Sequence, residues 1–403
     1  MDILCLMGLF PKEYEEQIIK DSIFGVQNAA NKLQWGIVRG LDENNLKPVI
    51  ICNSLYIGSY PKRYRSRIIP SFPFSHVSGA NDHNIGFNNT AGIKIFSRYI
   101  GVWKYLKKWV NDDSKDTKCV IAYAMTLPFV KLLYDLEKKY MNVKVCLVVP
   151  DLPEYMNVTA MQTNWKYRIL KSIEVAYLRH CLTVVDNYVF LTEHMKNWFN
   201  REVNYVVVEG ICSGNVPQLC EKELFTDGRK HIVYTGGIKQ EYGVLNLISA
   251  FMEIENADWA LDIYGDGIHM EQARKLAEND DRVMLHGVVP NAVAVKAQME
   301  AELLINPRLN HEFAKYSFPS KILEYMLSGT PMLAYKLDGI PSDYDDFYFH
   351  IESGEKGLVS SLKRTINMES AEREKMGRNA QAFVLNCKGP KVQAKKIMGL
   401  LET

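Results

Sequence analysis

Two series of short apolar segments, separated by longer stretches with helical periodicity, are the strongest constraint on how this chain of 403 residues can fold. The first series comprises ILCLMG (3–8), PVIICN (48–53), CVIAYAM (119–125), VKVCLVVPD (143–151), YVFLT (188–192) and NYVVVEG (204–210). The second comprises HIVYTGG (231–237), WALDIYGDG (259–267), VMLHGVV (283–289), AELLINP (301–307) and TPMLAYK (330–336). Continuous Val, Ile and Leu runs of this kind indicate parallel sheets that are covered by helices on both faces.

The segment from Ile211 to Pro217 joins the two series and is rich in residues that interrupt regular structure. We therefore predict an α/β protein with two doubly wound, Rossmann-like domains. The N-terminal domain is expected to span 1–212 and to take back a C-terminal helix at about 388–403, and the C-terminal domain to span 216–387. Ligands of such folds bind at the carboxyl ends of the strands, so we expect a site in the cleft between the domains.

Charge is distributed unevenly along the chain, although the formal net charge is only +1. Residues 1–210 hold 26 Lys and Arg against 20 Asp and Glu, whereas the remaining residues hold 22 against 27. The N-terminal half therefore favours an anionic surface or substrate. No known nucleic-acid-binding module is recognisable, and the near-neutral chain argues against a nucleic-acid partner.

Cysteine usage and hydropathy bear on the cellular compartment. None of the eight cysteines forms a C-x-x-C pair and several lie in apolar runs, so they are expected to be buried thiols in a reducing compartment. The N-terminus lacks the basic start of a signal peptide, and no apolar run approaches the roughly eighteen residues of a membrane span. The sequence therefore predicts a cytoplasmic protein that can associate with the cytoplasmic face of a membrane without crossing it.

The segment from Ser317 to Pro331, SFPSKILEYMLSGTP, carries the signals of a capped helix. Pro319 suits a first helical turn, and Ser317 and Ser320 offer hydroxyl groups at the helix start. Gly329, followed by Pro331, is expected to end the helix.

Lys321 and Glu324 stand three residues apart, on one face of this helix near its N-terminus. A helix N-terminus attracts anions because its free N–H groups and its dipole point outward. A lysine there can hold a diphosphate, and the carboxylate one turn further can accept hydrogen bonds from ribose hydroxyls. The spacing suits a nucleotide-sugar, and an ordinary capped helix with a solvated Lys/Glu pair is an equally good interpretation. The residues of this segment that we predict to bind the nucleotide-sugar, as the donor of a sugar, are Ser317, Phe318, Pro319, Ser320, Lys321 and Glu324.

Other candidate binding segments lie where a strand ends and a helix follows, which is where Rossmann-like domains bind ligands. Glycines in the turns at 236–243 and 265–267 let a ligand approach the backbone, and Lys239 can meet a phosphate. Backbone groups at 286–288 can read the edge of a base, although each of these turns taken alone is a common feature. The residues selected are Gly8 after the first strand, Gly236, Gly237, Lys239, Gly265, Asp266, Gly267, Gly287 and Val288.

The order of these motifs is more specific than any one of them. YTGG, IYGDG, LHGVV and SFPSKILEYMLSGTP, at this spacing, resemble the C-terminal half of glycosyltransferase family four, whose two-domain fold is the GT-B type. VCLVVPDLPE (145–154), VDNYVFLTEHMKNWF (185–199) and VVVEGI (206–211) look like the bacterial members that build polysaccharides. The resemblance implies a retaining transfer from a nucleotide-diphosphate donor, with a UDP-sugar favoured and with no metal or other cofactor. The expected acceptor is a glycan or lipid-linked glycan in cell-surface polysaccharide biosynthesis.

The resemblance also implies roles for individual residues. Lys321 matches the residue that contacts the diphosphate, and Glu324 matches the second glutamate of an E-x7-E signature, which holds the ribose. The sequence departs from the family pattern at Tyr316, where the first glutamate is expected, and at Gly237 and Tyr242, where an arginine and a lysine are expected. These departures bear mainly on the contacts with the donor sugar.

The implied reaction sets modest demands on the protein. In a retaining transfer on one face of the sugar, the leaving diphosphate itself takes the proton of the acceptor hydroxyl. The protein then positions the substrates and stabilises the leaving charge, for which Lys239 and Lys321 are available. Asp151, just after an N-domain strand, can orient the acceptor, while a turn aspartate before Pro153 is the alternative. The predicted catalytic residues are Asp151, Lys321 and Glu324.

Alternatives to an active transferase stay open at this point. The missing glutamate at Tyr316 favours a catalytically silent GT-B protein that serves as an assembly partner, and a nucleotide-sugar epimerase can use the same fold. The run Asp343-Tyr344-Asp345-Asp346 matches the D-x-D metal-binding pattern of the other major glycosyltransferase fold, but the GT-B resemblance argues against a metal.

Two basic and aromatic stretches of the N-terminal half have two interpretations. Residues 97–110 and the run from Trp165 to Arg168 combine lysines and arginines with tryptophans and tyrosines, which suits an anionic membrane interface. The ordinary interpretation, which we favour for 97–110, is a helix that packs its aromatic residues on the sheet and leaves its lysines in solvent.

Overall fold

The computed structural model describes residues 1–23, 25–112, 117–140, 142–155, 165–212, 224–312 and 314–402. The chain divides into two compact units, one formed by Met1–Ser213 with Pro390–Thr403 and the other by Gly214–Gly389. Each unit is built on a mainly parallel sheet with helices, which confirms the predicted fold class of two Rossmann-like domains. Most of the breaker-rich junction, from residue 213 onward, lies outside the described residues.

The N-terminal unit is organised around one large sheet. Its strands are β1 (Asp2–Met7), β2 (Ile50–Asn53), β3 (Ile68–Ile69), β4 (Phe72–Phe74), β5 (Asp82–Asn84), β6 (Phe87–Asn88), β7 (Lys118–Tyr123), β8 (Val143–Val149), β9 (Asn187–Phe190) and β10 (Asn204–Val207). Eight of them form a sheet in the order β10-β9-β8-β7-β1-β2-β5-β4, and β3 pairs with β6. The strands between residues 68 and 88 were not predicted, because each has only two or three residues and several of these are polar.

Helices cover both faces of this sheet. They are α1 (Glu15–Asp21), α2 (Asn28–Asn44), α3 (Ile93–Val110), α4 (Leu127–Lys139) and α5 (Trp165–Cys181). Alternate residues of β1, including Ile3 and Cys5, share a core with α2. The chain moves in opposite directions from β1 to β2 and from β7 to β8, so right-handed crossovers place α2 and α4 on opposite faces. α4 packs on β7 and β8 and lies between α3 and α5.

The C-terminal unit has a smaller, entirely parallel sheet. Its strands are β11 (Lys230–Thr235), β12 (Trp259–Tyr264), β13 (Val283–Gly287), β14 (Leu303–Asn306), β15 (Met332–Ala334) and β16 (Phe349–His350), in the order β13-β12-β11-β14-β15-β16. Its helices are α6 (Val244–Met252), α7 (Met270–Ala277), α8 (Asn291–Glu300), α9 (Lys321–Ser328), α10 (Gly357–Ile366) and α11 (Ser370–Cys387). The strand order reverses between β11 and β14, and such a switch point leaves a crevice at the carboxyl ends of the two strands.

The final helix, α12 (Pro390–Glu402), belongs to the N-terminal unit and packs along α2. The contact is very close at Gly40, where an added β-carbon would lie 2.2 Å from the Pro390 carbonyl oxygen. Gln393 Nε2 donates to the Gly210 carbonyl at 3.1 Å, and Lys144 Nζ donates to the Leu401 carbonyl at 2.7 Å. The N-terminal core therefore includes residues from both ends of the sequence. In the described ranges, no helix combines the length and apolarity needed to cross a membrane.

We predict that Gly40→Ala destabilises the N-terminal unit by about 1–3 kcal/mol, because the added methyl group forces α2 and α12 apart. Urea unfolding followed by circular dichroism measures this change. Gly399→Ala is the matched control on α12, since an added β-carbon there meets nothing within 4 Å. The control is expected to leave stability unchanged or slightly raised. Equal stability of the Gly40→Ala variant and the unmodified protein would contradict the close packing.

Candidate functional site

A pocket of about 310 Å³ opens in the C-terminal unit at the switch point between β11 and β14. Its volume is at the lower end of those of ordinary small-molecule sites. The structure brings together here the glycine pair after β11 and the segment that leads into α9. The lining residues are Tyr234, Thr235, Gly236, Gly237, Tyr242, Asn306, Arg308, Ser317, Phe318, Pro319, Ser320, Lys321 and Tyr325.

A larger depression of about 900 Å³ lies in the N-terminal unit, along residues 186–205. Two of its basic side chains are paired with carboxylates: Arg201 pairs with Asp186 at 3.0 Å, and Lys196 pairs with the neighbouring Glu193 at 2.6 Å. It is open to solvent and includes residues at the amino ends of β9 and β10, away from the carboxyl edge of the sheet. The smaller pocket at the switch point is therefore the better candidate, because the glycine pair after β11 and the segment that leads into α9 converge there.

The helix that borders the pocket begins later than its proline suggests. α9 starts at Lys321, and Ser320 in the capping position has helical backbone angles and no side-chain capping bond. Pro319 lies before the helix, where its carbonyl accepts a hydrogen bond from the Ile322 N–H at 2.9 Å. The expected hydroxyl cap is therefore wrong, and the first turn of α9 can offer N–H groups other than that of Ile322 to a ligand in the pocket. The predicted end is confirmed, since Gly329 closes the helix with a φ of +79°.

Lys321 and Glu324 lie on one face of α9, as expected, and they pair with each other. Lys321 Nζ lies 2.8 Å from Glu324 Oε1, and Gln298 Nε2 donates to the same oxygen at 2.8 Å. The two charged side chains are about one third exposed, whereas Gln298 is fully buried. The buried amide of Gln298 thus fixes the position of Glu324. Lys321 is therefore the member of the pair that can turn toward an anion.

A buried polar network ties α9 to β11. The Tyr325 hydroxyl accepts a hydrogen bond from the Thr235 N–H at 2.8 Å, and Gln298 Nε2 donates to Thr235 Oγ1 at 2.8 Å. Burial raises the pKa of Tyr325, so the hydroxyl stays protonated. The network fixes the N-terminus of α9 relative to the glycine turn, and both elements line the pocket.

Arg308 is a pocket residue that none of the sequence motifs includes. It comes two residues after β14, and its guanidinium carbon lies 5.6 Å from the centre of the Tyr242 ring. Lys239, which was expected to supply a cation, is not among the lining residues, and its Nζ lies 5.7 Å from the same ring. Arg308 and Lys321 therefore provide the cationic charge of the pocket. The signal that could have identified Arg308 is its place directly after a buried strand and Pro307.

The remaining predicted glycines of the C-terminal unit lie outside the pocket lining. Gly265 has a φ of +140°, and an added β-carbon there would lie 1.8 Å from the Gly236 carbonyl oxygen. The turn that also contains Asp266 and Gly267 is thus shaped by close packing against the turn after β11. This packing favours the alternative interpretation of a tight turn.

The turn after β13 holds the two residues that were expected to read a base edge. The Gly287 carbonyl accepts a hydrogen bond from the Gly265 N–H at 2.7 Å, while the following Val288 is highly exposed. His286, just before them, stacks on Tyr264 with ring centres 4.2 Å apart, and its Nε2 lies 2.7 Å from Asp262 Oδ1. These contacts hold the turn in place, while the side chain of Val288 stays exposed to solvent.

The departure from the family signature at Tyr316 is visible in the structure. Tyr316 ends a short 3-10 helix, Ala314–Tyr316, and Glu312 is exposed before it. Among the described residues that line the pocket, none is acidic, so the predicted ribose ligand Glu324 lies outside the lining and reaches it through its partner Lys321. Phe318 is buried there against Tyr344, so it shapes the wall without offering a polar group.

Asp343 and Asp345, the acids of the D-x-D run, are engaged by lysines of the same unit. Asp343 Oδ2 lies 2.7 Å from Lys388 Nζ, and Asp345 pairs with Lys336. Across the described ranges, no group of three His, Cys, Asp or Glu side chains is arranged to hold a metal ion.

In the N-terminal unit, the predicted residues Gly8 and Asp151 follow β1 and β8 at the carboxyl edge of the sheet. The Gly8 N–H donates to Gln34 Oε1 at 2.7 Å. Asp151 has an exposed side chain, yet the surrounding protein atoms desolvate its carboxyl group and raise its pKa. The negative charge of Asp151 also contributes to the raised pKa values of Tyr56 and Tyr123, so the three groups share this edge.

Comparison with known families locates a match in the C-terminal unit. Residues 229–367 match the family described as Glycosyl transferases group 1. The matched range contains all the residues that line the pocket. A search of curated protein sequences finds no match.

Solved structures resemble the chain over its whole length at low sequence identity. Sucrose-phosphate synthase from Thermosynechococcus elongatus is 11% identical, with a TM-score of 0.66 over 100% of this chain and 98% of that one. The catalytic domain of starch synthase IV from Arabidopsis thaliana, bound to ADP and acarbose, is 10% identical, with a TM-score of 0.64 over 100% and 99%. HepE from Anabaena, in complex with UDP, is 11% identical, with a TM-score of 0.60 over 100% of both chains. These likenesses establish the GT-B fold, and the family match supports the prediction of a glycosyltransferase.

We predict that Tyr325→Phe destabilises the C-terminal unit by about 1–3 kcal/mol, because the buried Thr235 N–H loses its hydrogen-bond acceptor. Urea unfolding of the full chain measures the change. Tyr335→Phe, at a half-buried tyrosine of the same unit, is the matched control and is expected to have a smaller effect. Equal effects of the two substitutions would show that the network at Thr235 does not stabilise the unit.

Proposed function

We propose that this protein is a retaining glycosyltransferase of the family-four type. It transfers a sugar from a nucleotide-diphosphate donor, a UDP-sugar in the first instance, to a glycan or lipid-linked glycan acceptor. The observation that carries the proposal is the switch-point pocket, where two cations, a glycine pair and a helix N-terminus converge. Cell-surface polysaccharide biosynthesis is the process that the sequence resemblance supports.

The pocket has the chemistry of a diphosphate site. Arg308 can hold two phosphate oxygens with its planar guanidinium group, and Lys321 adds a point charge at the start of α9. N–H groups in the first turn of α9 and the backbone N–H of Gly237 can donate further hydrogen bonds, whereas the N–H of Gly236 already donates to the Tyr264 carbonyl at 2.8 Å. In the free protein Lys321 is paired with Glu324, so donor binding would exchange a carboxylate for a phosphate.

Glu324 is the candidate ligand for the ribose hydroxyls. Its Oε1 accepts from Gln298 and Lys321 at 2.8 Å each, which fixes the orientation of the carboxylate. If Lys321 turns toward the diphosphate, Glu324 gains acceptor capacity for the ribose. The pair would then bind the two halves of a nucleoside diphosphate together.

In the proposed reaction the leaving diphosphate is the base. The bond from the anomeric carbon to the diphosphate oxygen breaks as the acceptor oxygen bonds to the same face of the sugar. The proton of the acceptor hydroxyl passes to the leaving diphosphate, which Arg308 and Lys321 stabilise. Asp151, from the edge of the N-terminal sheet, would orient the acceptor hydroxyl. In this scheme the protein needs no metal and no nucleophile of its own.

A catalytically silent nucleotide-binding protein is the second candidate. Tyr316 in place of the expected glutamate favours it, since contacts with the donor sugar depend on that position in the family pattern. Incubation with a panel of nucleotide-sugars and a lipid-linked acceptor distinguishes the two candidates. Nucleotide release with a product of retained anomeric configuration supports the transferase. An inverted product, or UDP binding without turnover of any donor, would contradict it.

We predict that Lys321→Ala and Arg308→Ala each weaken UDP binding at least about tenfold, because each removes a charged donor to the diphosphate. Isothermal titration calorimetry with UDP measures the dissociation constants. Lys275→Ala, at an exposed lysine of α7, is the matched control and should bind UDP like the unmodified protein. Unchanged UDP affinity in both pocket variants would remove the pocket as the donor site.

We predict that Asp151→Asn lowers the rate of transfer at least about tenfold while UDP affinity stays the same, since Asp151 belongs to the acceptor side. If the carboxylate is the active form, activity falls as the pH decreases through its raised pKa. The acid limb of the pH–rate profile should thus lie above the ordinary aspartate value of about 3.9 and should be lost in Asp151→Asn. Asp281→Asn, on the surface of the C-terminal unit, should keep the whole profile.

A further inference from the structure

Two helices of the N-terminal unit expose large apolar side chains in ordered stripes. On α3, Ile93, Phe96 and Ile100 follow one another at helical spacing, and Phe96 is 70% exposed. They are not the residues that the membrane interpretation of the sequence singled out, because Trp103, Tyr105 and Trp109 are only partly exposed. The exposed apolar stripe of α3 lies instead in its first half.

The stripe on α5 is longer. Trp165, Ile169, Ile173 and Tyr177 recur every four residues, and Leu170 lies beside them. Trp165 and Leu170 are 65% and 68% exposed. A helix of a soluble domain normally turns such a stripe toward the core, so an apolar stripe on the outer face marks an interaction surface.

The two stripes belong to one layer of the unit. α4 packs between α3 and α5, and its Asp135 accepts a hydrogen bond from the Tyr99 hydroxyl of α3. Asp135 also contributes to the raised pKa of Tyr177 on α5, which places the three helices side by side. Their outer faces therefore point away from the same face of the sheet.

This layer is strongly basic. α3, α4 and α5 together carry twelve Lys and Arg against three Asp and Glu, whereas the whole chain holds 48 against 47. Arg98 and Lys171 are buried, so ten of the twelve basic side chains contribute to the surface. α3 has no acidic residue, and its exposed Lys104 and Lys108 follow the apolar stripe toward the C-terminal end of the helix. On α5, the exposed Lys166 stands within the apolar arc. Apolar side chains bordered by lysines are the pattern of helices that lie in an anionic lipid interface.

We propose that the outer face of α3 and α5 is a membrane-binding surface that inserts its apolar stripes into an anionic lipid bilayer. We define the surface by Phe96 and Ile100 of α3 and by Trp165, Ile169 and Ile173 of α5. Its function rests on the proposed transferase, because it brings the enzyme to the lipid that carries the acceptor. A second copy of the chain fits poorly, since two layers of the same high positive charge repel each other.

The position of the stripes agrees with this role. α3 and α5 both lead from the carboxyl side of the sheet toward the next strands, β7 and β9. Their first turns, which carry Phe96 and Trp165, therefore lie nearest the edge where Asp151 follows β8. A lipid-linked glycan held at the bilayer surface would meet the unit at the edge that was assigned to the acceptor.

The test is co-sedimentation of the full-length protein with vesicles. Vesicles in which about a third of the lipid is phosphatidylglycerol should bind the protein, whereas pure phosphatidylcholine should bind it much more weakly. Binding should weaken as salt is added, because the lysines lie at the surface and are screened. The tryptophan emission should shift to shorter wavelength on binding, and Trp165→Phe should remove most of that shift.

Two sets of substitutions separate the apolar and the charged contributions. The combined change of Phe96, Ile100, Ile169 and Ile173 to Ser should abolish measurable vesicle binding. Changing Lys104, Lys108 and Lys166 to Gln should weaken binding to anionic vesicles about a hundredfold, at roughly fivefold for each lysine, and should leave the weak binding to neutral vesicles unchanged. The matched control changes Leu46 and Ile268, which are even more exposed but lie elsewhere, to Ser and should bind like the unmodified protein.

Several outcomes would contradict the proposal of a membrane-binding surface. These are failure of the unmodified protein to bind anionic vesicles, equal binding by the apolar variant, or a dimer that the apolar variant dissociates in light scattering. UDP titration of the same variants keeps the two proposals apart. Unchanged UDP affinity with lost vesicle binding supports the surface and leaves the donor site intact. Vesicle binding without UDP binding would contradict the proposed donor site and would still support the membrane-binding surface.

Discussion

The bond between the Tyr325 hydroxyl and the backbone of Thr235 is the interaction on which the candidate donor site depends. It joins a helix to a strand that lies ninety residues earlier in the chain, and it does so where neither element can move without the other. Gln298 reinforces it by bridging Thr235 and Glu324. Because all three side chains are buried or nearly so, the hydrogen bonds lie in a low-dielectric environment in which a lost partner is costly. The charged groups of the pocket are thus held by a rigid, buried network, in which Gln298 Oε1 is the atom left without a hydrogen-bond partner.

The cationic groups that would bind the ligand, in contrast, make only weak interactions with the protein. Lys321 is partly exposed and holds only a carboxylate one turn away, a pairing of little energy at a surface. Arg308 lies over the Tyr242 ring, which orients the guanidinium group without neutralising it. A site of this kind has a fixed frame and exchangeable charge partners. This combination suits a substrate that must be bound and then released as a different molecule.

Much of the fold followed from apolar runs, because parallel strands buried on both faces leave a strong pattern in a single sequence. The short strands between residues 68 and 88 left no such pattern, since pairing partners define them more than their own composition does. At the site, the glycine pair and Lys321 were predictable from local motifs. Arg308 belongs to no such motif, and only its place directly after a buried strand points to it, because its neighbours in the pocket come from distant segments. The exposed stripe at Phe96 also escaped prediction, since periodicity shows that a helix has an apolar face but not which way that face points.

The packing of α12 on α2 has a consequence for biosynthesis. Residues 390–402 are made only after the whole C-terminal unit has been synthesised, yet they complete the core of the N-terminal unit. During translation the N-terminal unit therefore keeps an open apolar groove beside Gly40 until residues 390–402 are made, while the C-terminal unit can already fold. The growing chain would need protection at that groove. The C-terminal unit would complete its fold before the N-terminal unit, although it is synthesised later.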